Sequence, residues 1–410
     1  MKIYQLLSTL IIVLLLSFNV QAQKDAMKTA NMAFDGQLYY NAIDLYKKAY
    51  AKEKDNAKKA EIIFKTADCY RLTNNPKQAE AWYRKAIKIK YPDPIAILYL
   101  ADAMKVQEKY ADAAVEYANY KAKVPNDPRG ANGVESCTLS QKWRDSPLKY
   151  KVENVAQINS KNYDFSPTFS KKNYKELIFT SSREEASGKG TDGWTGESFF
   201  DLFTAKLDKK GKWSTPTALP APINSPFSEG ASSLNEKGNT LYFTRCGHQK
   251  KKTMSCDIFV SKATGQSWGE PEKVPINQGE NENDTIAIAN GHPSISADEQ
   301  TLFFASDMKG GFGGKDIWML NWDKEKKRWG PPVNLGSTIN TQDDEEFPFI
   351  HKDGSLYFAS NGHVGMGGLD IFKADKTGEN KWGNVTNMRS PINSAVYISF
   401  SPFTFSISRF

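Results

Sequence analysis

A multidomain α + β protein, an N-terminal α-solenoid followed by an all-β propeller with four recognisable blade repeats, is the fold this 410-residue chain predicts. Three observations carry that reading. Ala and Tyr recur at offsets of 37 and 34 residues in the first third of the chain, an Ile-Asn pair recurs five times in the rest, and the intervals between those pairs hold short strand signals without helical period. A 40% hydrophobic share with 28 Gly and 19 Pro is an ordinary globular composition and excludes wholesale disorder. At this length more than one core is expected.

Residues 1–22 read as a signal peptide. Lys2 supplies the positive start, Leu6 to Phe18 an apolar core and Val20-Gln21-Ala22 a small-residue cleavage site, so the mature chain is expected to begin at Gln23. The apolar stretch is short of the roughly 20 residues a membrane span requires, and an uncleaved anchor is the competing reading. No cysteine follows it to accept a lipid, and no later segment is apolar enough to cross a bilayer. The expected location is the periplasm, with association with the outer membrane as a further expectation.

Residues 23–147 carry the helical repeats. Ala42, Tyr46 and Ala49 return as Ala79, Tyr83 and Ala86, then as Ala113, Tyr117 and Tyr120. Small residues let paired helices approach and the aromatic fills the turn above, so these are packing positions first. The pattern resembles the tetratricopeptide repeat: Ala67 and Ala101 fall on its small position in the first helix of a unit, and Pro125 on the proline that closes the third. Ile63 and Ile97 stand where that family carries a large aromatic. The resemblance implies one helical hairpin per unit and a concave peptide-binding groove. This segment holds 22 Lys and Arg against 16 Asp and Glu, whereas residues 148–410 hold 31 of each. Such an excess is a solvated face or an attraction to an acidic partner, and without a dense basic patch it gives no support to nucleic-acid binding.

Residues 148–394 carry the β repeats. Ile158-Asn159, Ile223-Asn224, Ile276-Asn277, Ile339-Asn340 and Ile392-Asn393 lie 65, 53, 63 and 53 residues apart and enclose four units. Each unit runs through a strand ending in Phe179, Phe243, Phe304 or Phe358, then a polar loop. Next comes Asp201-Leu202-Phe203, Asp257-Ile258-Phe259, Asp316-Ile317-Trp318 or Asp370-Ile371-Phe372, and after it Trp213, Trp268, Trp329 or Trp382. A lone four-stranded sheet would expose two apolar faces, and radial stacking of neighbouring blades covers them. The aromatics are therefore expected between blades, and each Asp is expected to cap a turn or accept backbone N–H bonds. The units resemble WD-like, TolB-type propeller repeats, most clearly over Leu356 to Gly362 and Gly365 to Phe372.

The order of signal peptide, tetratricopeptide-like repeats and propeller is similar to that of PorE-like periplasmic proteins of the type IX secretion apparatus in Bacteroidota. In that family an OmpA-like peptidoglycan-binding domain usually follows. An acidic start to another blade is expected after Ser394, but residues 395–410 run Ala395-Val396-Tyr397-Ile398 instead and read as an aberrant tail, with the OmpA-like domain lacking. The ring is accordingly expected to be open or imperfectly closed, with Tyr150 to Val155 a candidate strand for the last blade.

Export makes the cysteines oxidisable. Cys246 and Cys256 flank a polar stretch between two strand-like runs and form a candidate disulfide. Cys69 and Cys137, 68 residues apart, fall on the same position two helical repeats apart and are expected to be buried free thiols. No C-x-x-C and no Cys/His pairing at ligand spacing calls for zinc. His248, His292, His351 and His363 occupy unrelated positions in the β units and are expected as loop or surface residues. Glu280, Glu282 and Asp284, and Asp343, Asp344, Glu345 and Glu346, are acidic runs without the spacing or glycine of a calcium loop, and read as solvated loops. Gly310 to Gly314 and Gly365 to Gly368 precede strands, so they are hairpin loops, not phosphate cradles.

No catalytic, cofactor-binding or metal-binding constellation emerges, and the expected function is a non-catalytic periplasmic scaffold. Its expected partners are envelope or secretion-system proteins, met through the solenoid groove and the propeller face. The alternative is a propeller that binds a glycan or peptidoglycan fragment in its central channel through tryptophans and loop carboxylates. The repetition of every tryptophan at one position favours packing over a sugar platform.

Overall fold

The computed structural model describes residues 26–170, 174–188, 190–248, 254–265, 267–276 and 288–395. The signal segment, Asn277, Glu280, Glu282, Asp284 and residues 396–410 lie outside them. The fold is an α-solenoid followed by four propeller blades. By its contacts the chain divides into two compact units, residues 1–104 with 192–196, and residues 105–191 with 197–410. The last helix ends at Asp145 and the first strand begins at Asp164, whereas the compact units divide earlier, after Met104.

In the first unit, α1 (residues 26–35), α2 (Tyr39–Lys52), α3 (Asn56–Leu72), α4 (Pro76–Lys88) and most of α5 (Ile95–Lys105) form successive antiparallel helices. Asp55 caps α3 by accepting from Lys58 N at 2.9 Å, and Asn75 precedes Pro76 to start α4. Ala42, Tyr46, Ala79 and Tyr83 are buried, as the repeat requires. Each tyrosine's hydroxyl, which burial obliges to find a partner, donates to a polar residue 15 positions earlier: Tyr46 to Asn31 at 2.7 Å and Tyr83 to Asp68 at 2.8 Å. Cys69 is buried and free.

The second unit opens with α6 (Tyr110–Lys123) and α7 (Pro128–Asp145). Gly133 makes their contact possible, because a Cβ there would lie 2.2 Å from the Tyr117 ring. Cys137 is a buried thiol on α7. This hairpin is bonded to the fourth blade: Tyr110 Oη donates to Met366 O at 3.1 Å, Ser140 Oγ to Gly365 O at 3.2 Å, and Gly365 N donates to Ser136 Oγ at 3.2 Å. Arg389 stacks over Trp143, and Leu148 N donates to Ser390 O at 2.7 Å.

Blade 1 is β1 (Asp164–Phe169), β2 (Glu176–Ser181), β3 (Asp201–Lys206) and β4 (Thr217–Ala218). Blade 2 is β5 (Ser228–Leu234), β6 (Thr240–His248), β7 (Met254–Thr264), β8 (Ser267–Trp268) and β9 (Glu272–Lys273). Blade 3 is β10 (Asn290–Ile295), β11 (Thr301–Ser306), β12 (Asp316–Asp323), β13 (Arg328–Trp329) and β14 (Val333–Asn334). Blade 4 is β15 (Glu345–Ile350), β16 (Leu356–Ser360), β17 (Asp370–Gly378) and β18 (Lys381–Asn387). All pairings are antiparallel in chain order, except that β9 and β14 return to β7 and β12.

Every first strand carries a register shift at the same place, between Phe165 and Thr168, Gly230 and Ser232, Gly291 and Ser294, and Glu346 and Phe349. Within those bulges Ser166, His292 and Phe347 take the left-handed backbone region, with φ of 51°, 54° and 51°. The bulge turns these side chains out of the strand's alternation.

Three cores lie between blades. Ile178 and Leu202 pack on Phe243 and Leu241, Tyr242 and Ile258 on Phe304 and Leu302, and Phe303 and Ile317 on Phe358 and Leu356. The corresponding pair in blade 4, Tyr357 and Ile371, is only half-buried. Blade 1's outer face is covered by Val155 and Ile158, and among the described residues no core joins blade 4 to blade 1. Their innermost strands meet through Phe165 and Phe347, edge-to-face at 6.1 Å. Tyr150 to Val155 form no strand: the expected strand donation fails because Val155 is drawn into the blade 1 core.

Candidate functional site

The recurring polar residues form a frame that holds the blades. Asn224 accepts from Leu202 N at 2.9 Å and donates to Leu202 O at 3.0 Å; Asn340 does the same with Ile317, and Asn393 with Ile371. A single amide thus meets the N–H of each residue and shares its C=O with the backbone N–H of Leu219, Leu335 or Met388, which is why Asn recurs. The Asp of the third strand in blades 1, 3 and 4 binds the preceding loop: Asp201 takes Ser187 N at 2.7 Å, Asp316 takes Phe312 N at 2.6 Å, and Asp370 takes Met366 N, whereas Asp257 of blade 2 pairs with Lys273 at 2.8 Å. Burial pushes Asp370 up to about 6, against the bonds from Met366 and Asn387 that favour its charge.

A second carboxylate, on the innermost strand, escapes notice in a scan for Ile-Asn alone. Asp164, Glu229 and Glu345 each accept from the backbone N–H and hydroxyl of the residue after that pair, Ser160, Ser225 and Thr341. The signal is Ile-Asn-[Ser/Thr] followed four residues later by Asp or Glu. The Ile carbonyl of the pair is also met: Arg183 reaches Ile158 O at 2.8 Å, Arg245 reaches Ile223 O at 2.9 Å, and His363 Nε2 lies 2.9 Å from Ile339 O. Arg183 and Arg245 pair with Asp164 and Glu229 at 2.6 and 2.7 Å. Burial pushes the Glu229 carboxyl up to about 7 and Glu345 up to about 8, outweighing their donors.

Blade 3 departs from the frame. Asn290 stands where the other blades place the carboxylate, and its Oδ1 has no hydrogen-bond partner although the residue is buried. It lines a cavity of about 140 Å³ at the hub, together with Phe165, Phe200, Glu229, His292 and Lys315. His292 stacks on Phe347 with ring centres 3.8 Å apart, and its Nδ1 accepts from Phe347 N at 3.4 Å. Burial lowers its pKa to about 4, so the ring is neutral at ordinary pH. Lys315 pairs with Glu346 at 2.5 Å and is held charged by that partner and by Asp344 and Asp307, against burial that works the other way. Cys246 and Cys256 face each other across β6 and β7, are joined by a disulfide, and line the same cavity.

Several expectations change on this geometry. Asp343 to Glu346 is not a solvated loop: Glu345 and Glu346 are buried, Asp344 accepts from Lys315 N at 2.8 Å, and Asp343 pairs with Arg129 at 3.4 Å. Of the histidines, His351 pairs with Asp353 near the surface at 2.9 Å, whereas His292 and His363 do interior work because the bulge and the Ile carbonyl draw them in. The side chain of His248 lies outside the described residues. Gly310 to Gly314 and Gly365 to Gly368 are hairpin loops. Trp213, Trp268, Trp329 and Trp382 pack in the blade cores, not in the cavity. Among the described residues no group of three or more His, Cys, Asp or Glu is arranged to hold a metal, and no helix is long and apolar enough to cross a membrane.

No protein-family model matches the chain, and no curated protein matches it. Solved structures that resemble parts of it include the C-terminal TPR-containing domain of a Plasmodium falciparum FK506-binding protein, at 23% identity and TM-score 0.28, over 31% of this chain and 93% of that one. TolB from Acinetobacter baumannii is similar at 12% identity and TM-score 0.35, over 58% of this chain. An endo-arabinase from Bacteroides thetaiotaomicron is similar at 13% identity and TM-score 0.36, over 59% of this chain and 85% of that one. The chain spans 51% of the TolB structure's length.

Proposed function

We propose that this protein is a non-catalytic, exported scaffold of the cell envelope, whose helical and propeller units hold partner proteins in a PorE-like role linked to type IX secretion or outer-membrane organisation. The observation that carries this reading is the use of the repeated polar groups. The recurring carboxylates, asparagines, arginines and His363 bind the fold's own backbone, which suits a rigid repeat scaffold. Glycan recognition by the repeated tryptophans loses its basis once those rings pack between strands.

The test is cross-linking capture from envelope extracts with the full chain as bait, alongside a panel of aryl glycosides. Enrichment of secretion-system or outer-membrane proteins with no glycoside turnover is the expected result. Turnover of a glycoside that is lost on substituting Glu229 or Glu346 would overturn the non-catalytic reading. Fusion of residues 1–22 to a periplasm-dependent reporter phosphatase is expected to give activity, and a silent fusion would remove export.

A further inference from the structure

One wall of the hub cavity is not accounted for by the frame. Asn290 is 4% exposed, lines the cavity and leaves its Oδ1 unbonded. A buried acceptor without a donor costs stability, so an occupant that donates would satisfy it. The wall holds one residue of each charge, Glu229 paired with Arg245 and Lys315 paired with Glu346, and Asp344 and Asp307 near Lys315 tip the surrounding balance towards negative charge. Phe165 and Phe200, edge-to-face at 5.4 Å, add ring faces that attract cations. With Nδ1 of His292 taking the Phe347 amide proton, the neutral ring's own proton sits on Nε2 and adds no positive charge. No metal-holding cluster occurs among the described residues, which favours an organic cation.

We propose that this cavity binds a cationic N–H donor, an ammonium or guanidinium group, with Asn290 Oδ1 as its acceptor. The proposal rests on reading the propeller as a binding module and names what it recognises. The group could arrive on a Lys or Arg side chain of a partner polypeptide or as a free amine, and both present the same chemistry.

Calorimetric titration of the full chain with agmatine, and with an acetylated and amidated Gly-Arg-Gly peptide, separates the two sources; N-acetylglucosamine and acetate serve as comparisons. Saturable binding of at least one cation probe below about 1 mM is expected, with neither comparison binding. Asn290→Leu is expected to weaken binding about tenfold while keeping or raising the melting temperature, because it removes the ligand's acceptor and an unmade hydrogen bond together. Lys315→Met is expected to tighten a cation and would abolish an anion. The proposal is overturned if neither cation saturates up to about 10 mM, if acetate or N-acetylglucosamine binds instead, if Asn290→Leu leaves affinity unchanged, or if Lys315→Met weakens the cation. These titrations need no envelope partner, so a failed capture experiment and a failed titration remain distinguishable.

Discussion

Single side chains complete the backbone bonding of strands in this propeller. Asn340 supplies the acceptor for the Ile317 N–H and a second donor for the Ile317 C=O, which also takes Leu335 N at 3.2 Å. Asn340→Ala is expected to lower the unfolding free energy by about 3 kcal/mol, read as a shift in urea midpoint, and Asn340→Asp, which keeps only the acceptor, by less. Glu345 carries a pH dependence of definite sign. Its carboxyl is raised by burial from 4.5 to about 8, so the fold favours the protonated form. Its contribution is complete below about pH 4.5 and lost as pH rises through about 8. Urea midpoints measured from pH 5 to about 9 should fall for the parent protein and flatten for Glu345→Gln. Which residues repeat is readable from the chain, since Ile-Asn and Asp-Ile-Phe stand out. What each polar atom bonds is not, because partners such as Ser160 and Asp164 are set by a turn whose closure only the folded strand reveals.

Elements are held by short-range devices that differ from blade to blade. The β6–β7 hairpin of blade 2 adds a covalent link, Cys246 to Cys256, closing a loop of sequence separation 10. Loop entropy alone gives such a link about 2–3 kcal/mol, so reduction should lower the melting temperature of the parent and leave a Cys246→Ser/Cys256→Ser double variant unmoved. The α6–α7 hairpin is fastened to the blade 4 loop by hydroxyls: Tyr110→Phe strands the Met366 carbonyl and is expected to cost about 1–2 kcal/mol, measured by chemical unfolding. The helical period and the Ala/Tyr spacing predict α6 as a repeat helix, and it is one. Its attachment to a sheet 256 residues away in sequence leaves no mark on that period. The same holds for the bulges, where His292 and Phe347 are ordinary residues in sequence and take a left-handed backbone within the register shifts of β10 and β15.

At the scale of the molecule, repetition sets the plan and the ends of each array set its exceptions. Three inter-blade cores use equivalent residues, and blade 4 leaves Tyr357 and Ile371 half-buried where blades 1 to 3 bury the corresponding pairs. The division of the chain near residue 104 carries its own prediction. A fragment starting at Lys105 should melt as a cooperative propeller, whereas one starting at Leu148, stripped of α6 and α7, should melt lower because the carbonyls of Gly365 and Met366 lose Ser140 and Tyr110. Calorimetry of the two fragments checks this. The amino-acid sequence by itself determined the two repeat classes, their order and their packing residues, because periodicity of apolar side chains is a local property that stacking must satisfy. Only the tertiary structure decided that two helices belong with the propeller, that blade 1 is closed by Val155 and Ile158, and that Asn290 is left with an unmade bond facing a cavity. Those outcomes depend on which distant surfaces compete for burial, and no single repeat encodes that competition.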